Sequence, residues 1–269
     1  LWMNESNLSK QEIIDSLQGN LCRCTGYGPI IESALKINQQ IGAIGNEQAR
    51  YKVQWETKLK QLRVNKNQKQ ASLQKTFFLP KTVTELRSIL ANNKEATMVA
   101  GSTDVGLWVN KHFKNITPAI FLGQINELKT IKIQKNRIVI GSMVTYSDLQ
   151  VVLPQYFPAL GQYINQIGGD QIRNMGTIGG NIANGSPIGD LAPVLIALGT
   201  KMTLSSIVGS RKIDVEAFFK SYGCQDIKSD EFILNFEIPI PKRNDILLKV
   251  YKVSKRRYED ISTVSAAFY

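Results

Sequence analysis

The sequence predicts an α+β protein, and three observations carry that expectation. Short strand-like runs stand among amphipathic helical runs without the strict alternation that builds a parallel α/β sheet. Hydrophobic residues make up 43% of the 269 positions and aromatics 8%, enough for real cores. Periodicity is lost between about residues 39 and 75, where Gln, Asn and Lys dominate, so the chain reads as a small helical part, a linker and a larger domain.

The first helix is expected over residues 9 to 18, with Ser9 as N-cap, Glu12 closing a capping box, and Ile13, Ile14 and Leu17 forming the apolar face. Gly19-Asn20 ends it. A second helix starts near Pro29 and turns Ile30, Ile31, Ala34, Leu35 and Ile37 inward. One amphipathic helix is expected in the linker around Trp55 and Leu59. Leu86, Ile89 and Leu90 mark a helix, and Thr97 to Ala100 a buried strand running into a glycine turn. Ala119 to Leu122 is another short strand, and Ile131–Ile133 with Arg137–Ile140 forms a hairpin. Helices follow near 146–153, 155–168 and 190–199, and strands at Lys201–Leu204 and Glu231–Ile238.

The formal net charge is +11 and is uneven. Between Arg50 and Lys75 basic residues face the lone Glu56. Such a block can bind nucleic acid, but like-charge runs are more often solvated linkers, and no nucleic-acid motif accompanies this one. No run approaches the roughly 18 apolar residues of a membrane span. Leu1-Trp2-Met3-Asn4-Glu5 is no signal peptide and reads as the middle of a longer reading frame. Three cysteines argue for a reduced, cytoplasmic chain over a disulfide framework. The single histidine, His112, excludes a His-rich metal site built from this chain alone; it reads as part of a surface turn.

Cys22 and Cys24 form a C-x-C pair on a loop bounded by Gly19, Gly26 and Gly28. Thiolates suit zinc or iron–sulfur clusters, but both sites ordinarily need four ligands. By spacing alone the pair is more often simply two free cysteines. Cys224 reads as a loop residue without a role.

Two stretches are rich in glycine and small residues. Val99-Ala100-Gly101-Ser102-Thr103-Asp104 follows a predicted strand, and such a turn exposes successive backbone N–H groups that can cradle a pyrophosphate; it can also be an ordinary tight turn. The second runs from Met175 to Pro193 and contains Thr177-Ile178-Gly179-Gly180-Asn181. Glycine at that density means close backbone approach or unusual dihedral angles. Asp190, ahead of the apolar run Leu191–Leu198, reads as an N-cap carboxylate, a role compatible with ligand contact.

Gly19-Asn20-Leu21-Cys22-Arg23-Cys24-Thr25-Gly26-Tyr27-Gly28-Pro29-Ile30 closely resembles the signature of the helical [2Fe-2S] domain of molybdenum hydroxylases. The loop at 99–104, the block from Thr177 to Asp190, and Tyr251-Lys252-Val253-Ser254-Lys255-Arg256-Arg257-Tyr258-Glu259-Asp260-Ile261-Ser262 resemble the flavoprotein part of the same family. The resemblance covers nearly the whole chain from Gly19 onward. It implies the C-terminal half of an all-α [2Fe-2S] domain (1–45), a basic linker (46–75), an FAD-binding domain of two α+β subdomains (76–242), and the start of a C-terminal flavoprotein domain (243–269).

Carried onto this sequence, the resemblance implies two cluster ligands of four, Cys22 and Cys24, the other pair lying upstream in relatives. It lays Met98, Val99, Ala100, Gly101, Ser102, Thr103, Asp104 and Val105 along the FAD pyrophosphate, with Thr177, Ile178, Gly179, Gly180 and Asn181 contacting it from the other subdomain. Ile167 and Ile233 would pack near the ring system or the adenine, and Asp190 and Lys252 would make polar contacts. Arg257 and Glu259 fall where relatives bind NAD. The order of modules matches the small subunit of bacterial xanthine dehydrogenases. That implies electrons passing from purine hydroxylation at a molybdenum-pterin centre on a large partner subunit, through [2Fe-2S] clusters to FAD and then NAD, in a dimer of heterodimers. Sister enzymes acting on aldehydes or other N-heterocycles, and a flavin carrier without NAD reactivity, stay open. No side-chain nucleophile or general base is expected here.

Overall fold

A computed structural model describes residues 8–20, 26–40, 53–61, 77–241, 247–256 and 259–269. The chain divides into two compact units, Leu1–Leu73 and Gln74–Tyr269.

In the first unit, helix α1 (Lys10–Ser16) begins at Ser9, whose hydroxyl accepts from the Glu12 amide at 3.2 Å while the Glu12 carboxylate accepts from the Ser9 amide. The capping box read from the sequence is formed. Those two bonds, the side-chain one first, hold the Glu12 carboxyl below its ordinary pKa. A short 3-10 turn (Gln18–Asn20) follows, and α2 spans Gly28–Gln40 with Pro29 in its first turn. Leu8, Ile13 and Ala34 make a small core with Leu17 and Leu35 against it. A helix α3 occupies 53–61, but Trp55 and Leu59 are exposed, so the expected amphipathic face buries nothing among the described residues. Cys22 and Cys24 lie outside the described residues.

Among the described residues the second unit holds a three-stranded sheet, a five-stranded sheet and two two-stranded pairs. β1 (Phe77–Phe78), β2 (Thr97–Val99) and β3 (Ala119–Phe121) form a parallel sheet in the order β1-β3-β2. Helix α4 (Val83–Asn92) joins β1 to β2, capped by Thr82 and buried through Val83, Leu86 and Leu90. These side chains pack with Ile120, Ile125, Leu128 and Phe232 in one core. β4 (Ile131–Gln134) and β5 (Arg137–Gly141) form the expected hairpin.

The larger core lies between an antiparallel sheet and a group of short helices. Helices α5 (Val105–Asn110), α6 (Tyr146–Val152), α7 (Leu160–Asn165), α8 (Asp170–Met175), α9 (Ile178–Asn184) and α10 (Leu191–Ala197) precede β6 (Lys201–Ser206), β7 (Gly209–Asp214) and α11 (Val215–Phe218). β8 (Phe219–Ser221) and β9 (Cys224–Gln225) form a small hairpin, and β10 (Phe232–Pro239) completes a five-stranded sheet, β4-β5-β10-β6-β7. β10 carries Phe232, Ile233, Phe236 and Ile238 inside, and a bulge between Ile233 and Asn235 shifts its register against β6. β11 (Lys249–Val253) pairs with β12 (Val264–Phe268), and Leu248 joins the larger core.

The helix expected over 155–168 is shorter. Leu153–Gln155 is a 3-10 turn and α7 begins only at Leu160, because Pro158 supplies no amide for the preceding turn. Gly168, at φ +62°, prevents continuation. Cys224, read as a loop residue, is an exposed free thiol on β9. His112 lies in an exposed turn, as its neighbours suggested.

Candidate functional site

The parallel sheet ends at Val99, and the chain turns sharply through Ala100–Asp104 before α5 begins. Ser102 takes a left-handed φ of 62° within this turn. The amides of Gly101, Ser102, Thr103 and Asp104 have no backbone partner among the described residues; only the carbonyls of Ser102 and Asp104 are used, by α5. A loop with successive open N–H groups at the carboxyl end of a parallel strand is suited to an anionic group.

The loop is seated on the second glycine-rich block. A Cβ on Gly101 would stand 1.7 Å from the Met175 carbonyl oxygen and 3.2 Å from Gly176 Cα, so only glycine permits this approach. The side-chain amide of Asn184 donates to Asp104 Oδ2 at 3.2 Å. The two stretches singled out from the sequence are therefore brought together.

Their backbones are used differently. In the second block the chain is helical from Ile178, with Thr177 as N-cap accepting from the Gly180 amide at 3.0 Å. The Ile178 amide donates to Val144 O at 3.0 Å and the Gly179 amide to Ser142 O at 2.9 Å. Tyr146 N in turn donates to Gly176 O at 3.1 Å. Close approach again explains a glycine: a Cβ on Gly179 would be 2.6 Å from Ser142 O. The first-turn amides of α9 are thus already satisfied, and what this block can offer a ligand is the Asn181 side chain and the surface of Gly180. Asn181 Oδ1 is buried without a hydrogen-bond partner.

Asp190 stands at the N-cap position of α10 but makes no capping bond, which corrects its reading as a capping carboxylate. Its carboxylate accepts from Lys252 Nζ at 2.6 Å and from the Ser262 hydroxyl, and Lys252 also donates to Ser262 Oγ at 2.9 Å. The ion pair is nearly dry, with side chains 8% and 2% exposed. Tyr163 donates to the Asp190 carbonyl at 2.7 Å and lies 2.7 Å from Ser265 Oγ. Burial pushes the Tyr163 phenol up to about 12, the Ser265 bond opposing and the Asp190 charge assisting. Burial, with the charges of Asp190 and Asp104 behind it, also pushes the Tyr146 phenol well above the ordinary tyrosine range. Sequence reading assigned no role to Tyr146 or Tyr163 and named Ser262 only within a motif; Tyr146 lies inside a capping box (Thr145, Asp148) that drew no attention to the phenol.

Of the other named residues, Met98 is half-buried and Val99 fully buried behind the first loop. Ile167 and Ile233 belong to the main core, 8% and 5% exposed, so contact with a bound ring is limited to the little surface each retains. Glu259 has a left-handed φ of 51°, and its carboxylate closes over Gly169 at the start of α8. Arg257 lies outside the described residues. Among the described residues no group of three or more His, Cys, Asp or Glu could hold a metal ion, and no helix is long and apolar enough to cross a membrane.

The two glycine-rich stretches meet where the parallel sheet ends. Residues 70–241 match the family described as the FAD binding domain in molybdopterin dehydrogenase. The chain is 26% identical, across 99% of its length, to a xanthine dehydrogenase of Emericella nidulans, of which it spans 23%. Over 70% of its length it is 29% identical to the FAD-subunit of nicotinate dehydrogenase from Eubacterium barkeri, covering 66% of that protein. Among solved structures, quinoline 2-oxidoreductase from Pseudomonas putida 86 superposes with a TM-score of 0.67 at 22% identity, over 72% of this chain and 68% of that one. Carbon monoxide dehydrogenase from Hydrogenophaga pseudoflava superposes at 0.66 with 25% identity, over 71% and 67%. The chain belongs to the family of FAD-binding domains of molybdopterin dehydrogenases, the expected α+β fold included. It spans about a quarter of the xanthine dehydrogenases it matches.

Proposed function

We propose that this chain carries the flavin of a molybdenum hydroxylase and relays electrons from substrate oxidation on a partner subunit. The observation that carries this reading is the run of open amides from Gly101 to Asp104, locked by a glycine contact onto Met175–Gly176, with the Asn181 carboxamide oxygen in the same block left without a partner. These groups fit a pyrophosphate: open donors for its oxygens, a glycine surface for close approach, and no carboxylate within the amide run before Asp104. FAD, when bound, links one-electron donors such as iron–sulfur clusters to a two-electron acceptor.

In this reading the chain's own residues bind and orient. The amides of Gly101–Asp104 hold the pyrophosphate from one subdomain, and Thr177–Asn181 close on it from the other, Thr177 by fixing the turn and Asn181 by its carboxamide. Asp190 and Lys252, which bind each other, would set the polar wall of the site, and Ile167 and Ile233 its apolar backing. Cys22 and Cys24 would supply two thiolates to a [2Fe-2S] cluster. Residues 1–45 would form the helical cluster domain, 46–75 the linker, 76–242 the FAD domain and 243–269 the start of the domain that follows.

The substrate favoured is a purine, xanthine or hypoxanthine, with NAD as acceptor. The support is alignment along 99% of the chain with a xanthine dehydrogenase, against 70% for the nicotinate enzyme's FAD-subunit. The molybdenum-pterin would lie on a large subunit within a hetero-oligomer in the cytoplasm. Anaerobic NADH titration of the FAD-loaded protein tests the acceptor: bleaching of the flavin near 1:1 stoichiometry is expected. A flavin that stays oxidised would leave the electron-carrier reading and remove the dehydrogenase one.

A further inference from the structure

Arg173 is the one buried arginine among the described residues, 1% exposed, and it takes no part in the site described above. It stands in α8, two residues before Met175, whose carbonyl oxygen seats the Gly101 loop. As helical side chains do, it points back toward the start of its own helix. There its guanidinium meets the corner that joins α7 to α8. Nη1 donates to the carbonyl of Asn165, the last residue of α7, at 2.9 Å and also to the carbonyl of Gly168. Nη2 donates to the Asp170 carboxylate. The corner lies directly on α8: Gly168 turns at φ +62°, and a Cβ there would stand 2.8 Å from the Ile172 side chain. Glu259 presses on it as well, since a Cβ on Gly169 would lie 2.3 Å from its carboxylate oxygen. Ile167, part of the apolar backing of the site, belongs to this same corner.

Burying a full cation is costly unless it is paired and hydrogen-bonded. This one meets a carbonyl at the end of a helix, where the last carbonyls lack partners within the helix, a second carbonyl in the turn, and a carboxylate. The planar fork of a guanidinium spans all three, whereas an ammonium is a point charge on a flexible stem. Helix α8 has six residues, too few to hold a direction of its own. Its line is set by what grips its two ends. Arg173 ties the first end to the α7 corner, and the Tyr146 amide donates to Gly176 O at 3.1 Å just past the second. If the first grip is released, the Met175 carbonyl and Ile167 both shift.

We propose that Arg173 is a positioning residue of the cofactor site: its guanidinium locks α8 to the α7–α8 corner and so sets both the Met175 carbonyl beneath the pyrophosphate loop and Ile167 in the apolar backing. This rests on the flavin reading above and goes beyond it in assigning a residue that acts on the cofactor only through the backbone of α8.

Arg173→Met and Arg173→Lys in the full chain test it, with FAD affinity read from quenching of flavin fluorescence and ring environment from the visible circular dichroism of flavin at saturating FAD. The Met variant keeps the apolar stem and removes the fork, and should weaken FAD more than about tenfold, the size of one charge-assisted bond or more. The Lys variant keeps the charge and one carbonyl within reach, and should fall between it and wild type. Both should change the visible dichroism. Val215→Ala, a core truncation in α11, is the stability control: it should lower the urea midpoint while leaving affinity within about twofold and the dichroism unaltered. Combined with Gly101→Ala, the Met variant should lose less than the two losses together, because the loop has then already left its seat. If the Met variant does not fold, the Lys variant carries the test. An Arg173 variant that folds and keeps wild-type affinity and dichroism, losses that add fully with Gly101→Ala, or a Val215→Ala protein that loses FAD as steeply would each overturn the proposal while leaving the flavin site standing. A wild-type chain that takes up no FAD would instead overturn the flavin reading, and this one with it.

Discussion

Replacing Gly101 by alanine tests the junction between the two glycine stretches most directly. The added Cβ would sit 1.7 Å from the Met175 carbonyl oxygen and 2.6 Å from its carbon. Ordinary heavy-atom contacts lie at roughly 3.5 Å, so about 1.8 Å must be opened. Neither side can yield by rotating a side chain, since the obstacle is backbone. Overpacking a rigid site costs about 1–3 kcal/mol, and backbone on both faces puts this case near the upper figure. For a unit the size of Gln74–Tyr269, about 3 kcal/mol lowers the melting temperature by about 6–12 °C. Shifting the loop also misaims the amides of Gly101–Asp104. Losing one or two bonds to a charged phosphate, at about 1.5–3 kcal/mol each, should weaken FAD by about a hundredfold. Gly123→Ala is the control, because a Cβ there meets nothing within 4 Å. Thermal denaturation and flavin fluorescence titration of the two variants side by side provide the assay. A Gly101→Ala protein that melts within about 2 °C of wild type and binds FAD within about threefold would refute the reasoning.

Three further outcomes are expected. Thr177→Ala removes the acceptor of the Gly180 amide and should cost about 1 kcal/mol, a fall of about 2–4 °C in melting temperature that Thr177→Ser largely restores. Asp190→Asn strands the Lys252 ammonium in a site where its side chain is 2% exposed, and should cost about 3–5 kcal/mol in urea denaturation; adding Lys252→Met should recover most of that loss. In alkali, a phenol whose pKa is higher folded than unfolded contributes stability that is complete below about pH 10 and is lost as pH rises through its folded value. For Tyr163, raised to about 12, roughly 2–3 kcal/mol should disappear between pH 10 and 12, and the urea midpoint of Tyr163→Phe should fall less steeply across that window.

Local chemistry was legible wherever neighbours in sequence decide the outcome. Ser9 with Glu12 announces a helix start because the two bonds of a capping box span only three residues. The β4–β5 hairpin follows from alternation across a short turn. Helix α9 was not legible: its glycines carry poor helix propensity, and it forms because Ser142 and Val144 carbonyls and the Thr177 hydroxyl take its first amides. The end of the helix expected at 155–168 failed for the opposite reason, Pro158 and Gly168 outweighing an apolar periodicity.

The sequence by itself determined the class of fold, the two glycine stretches and the chemistry each residue type can offer. Glycine at positions 101, 176 and 179 admitted close approach or unusual dihedral angles without deciding between them. Only the tertiary structure decided what approaches what, and therefore which groups remain open. The amides of Gly101–Asp104 stay free because α5 claims only carbonyls from that loop, whereas those of Ile178 and Gly179 are taken by a segment more than 30 residues earlier. Asp190, placed to cap its own helix, bonds instead to Lys252 and Ser262 across some 60 to 70 residues of chain. A hydrogen bond is settled by which partner arrives in space. Sequence spacing sets that choice within a turn and loses control of it beyond.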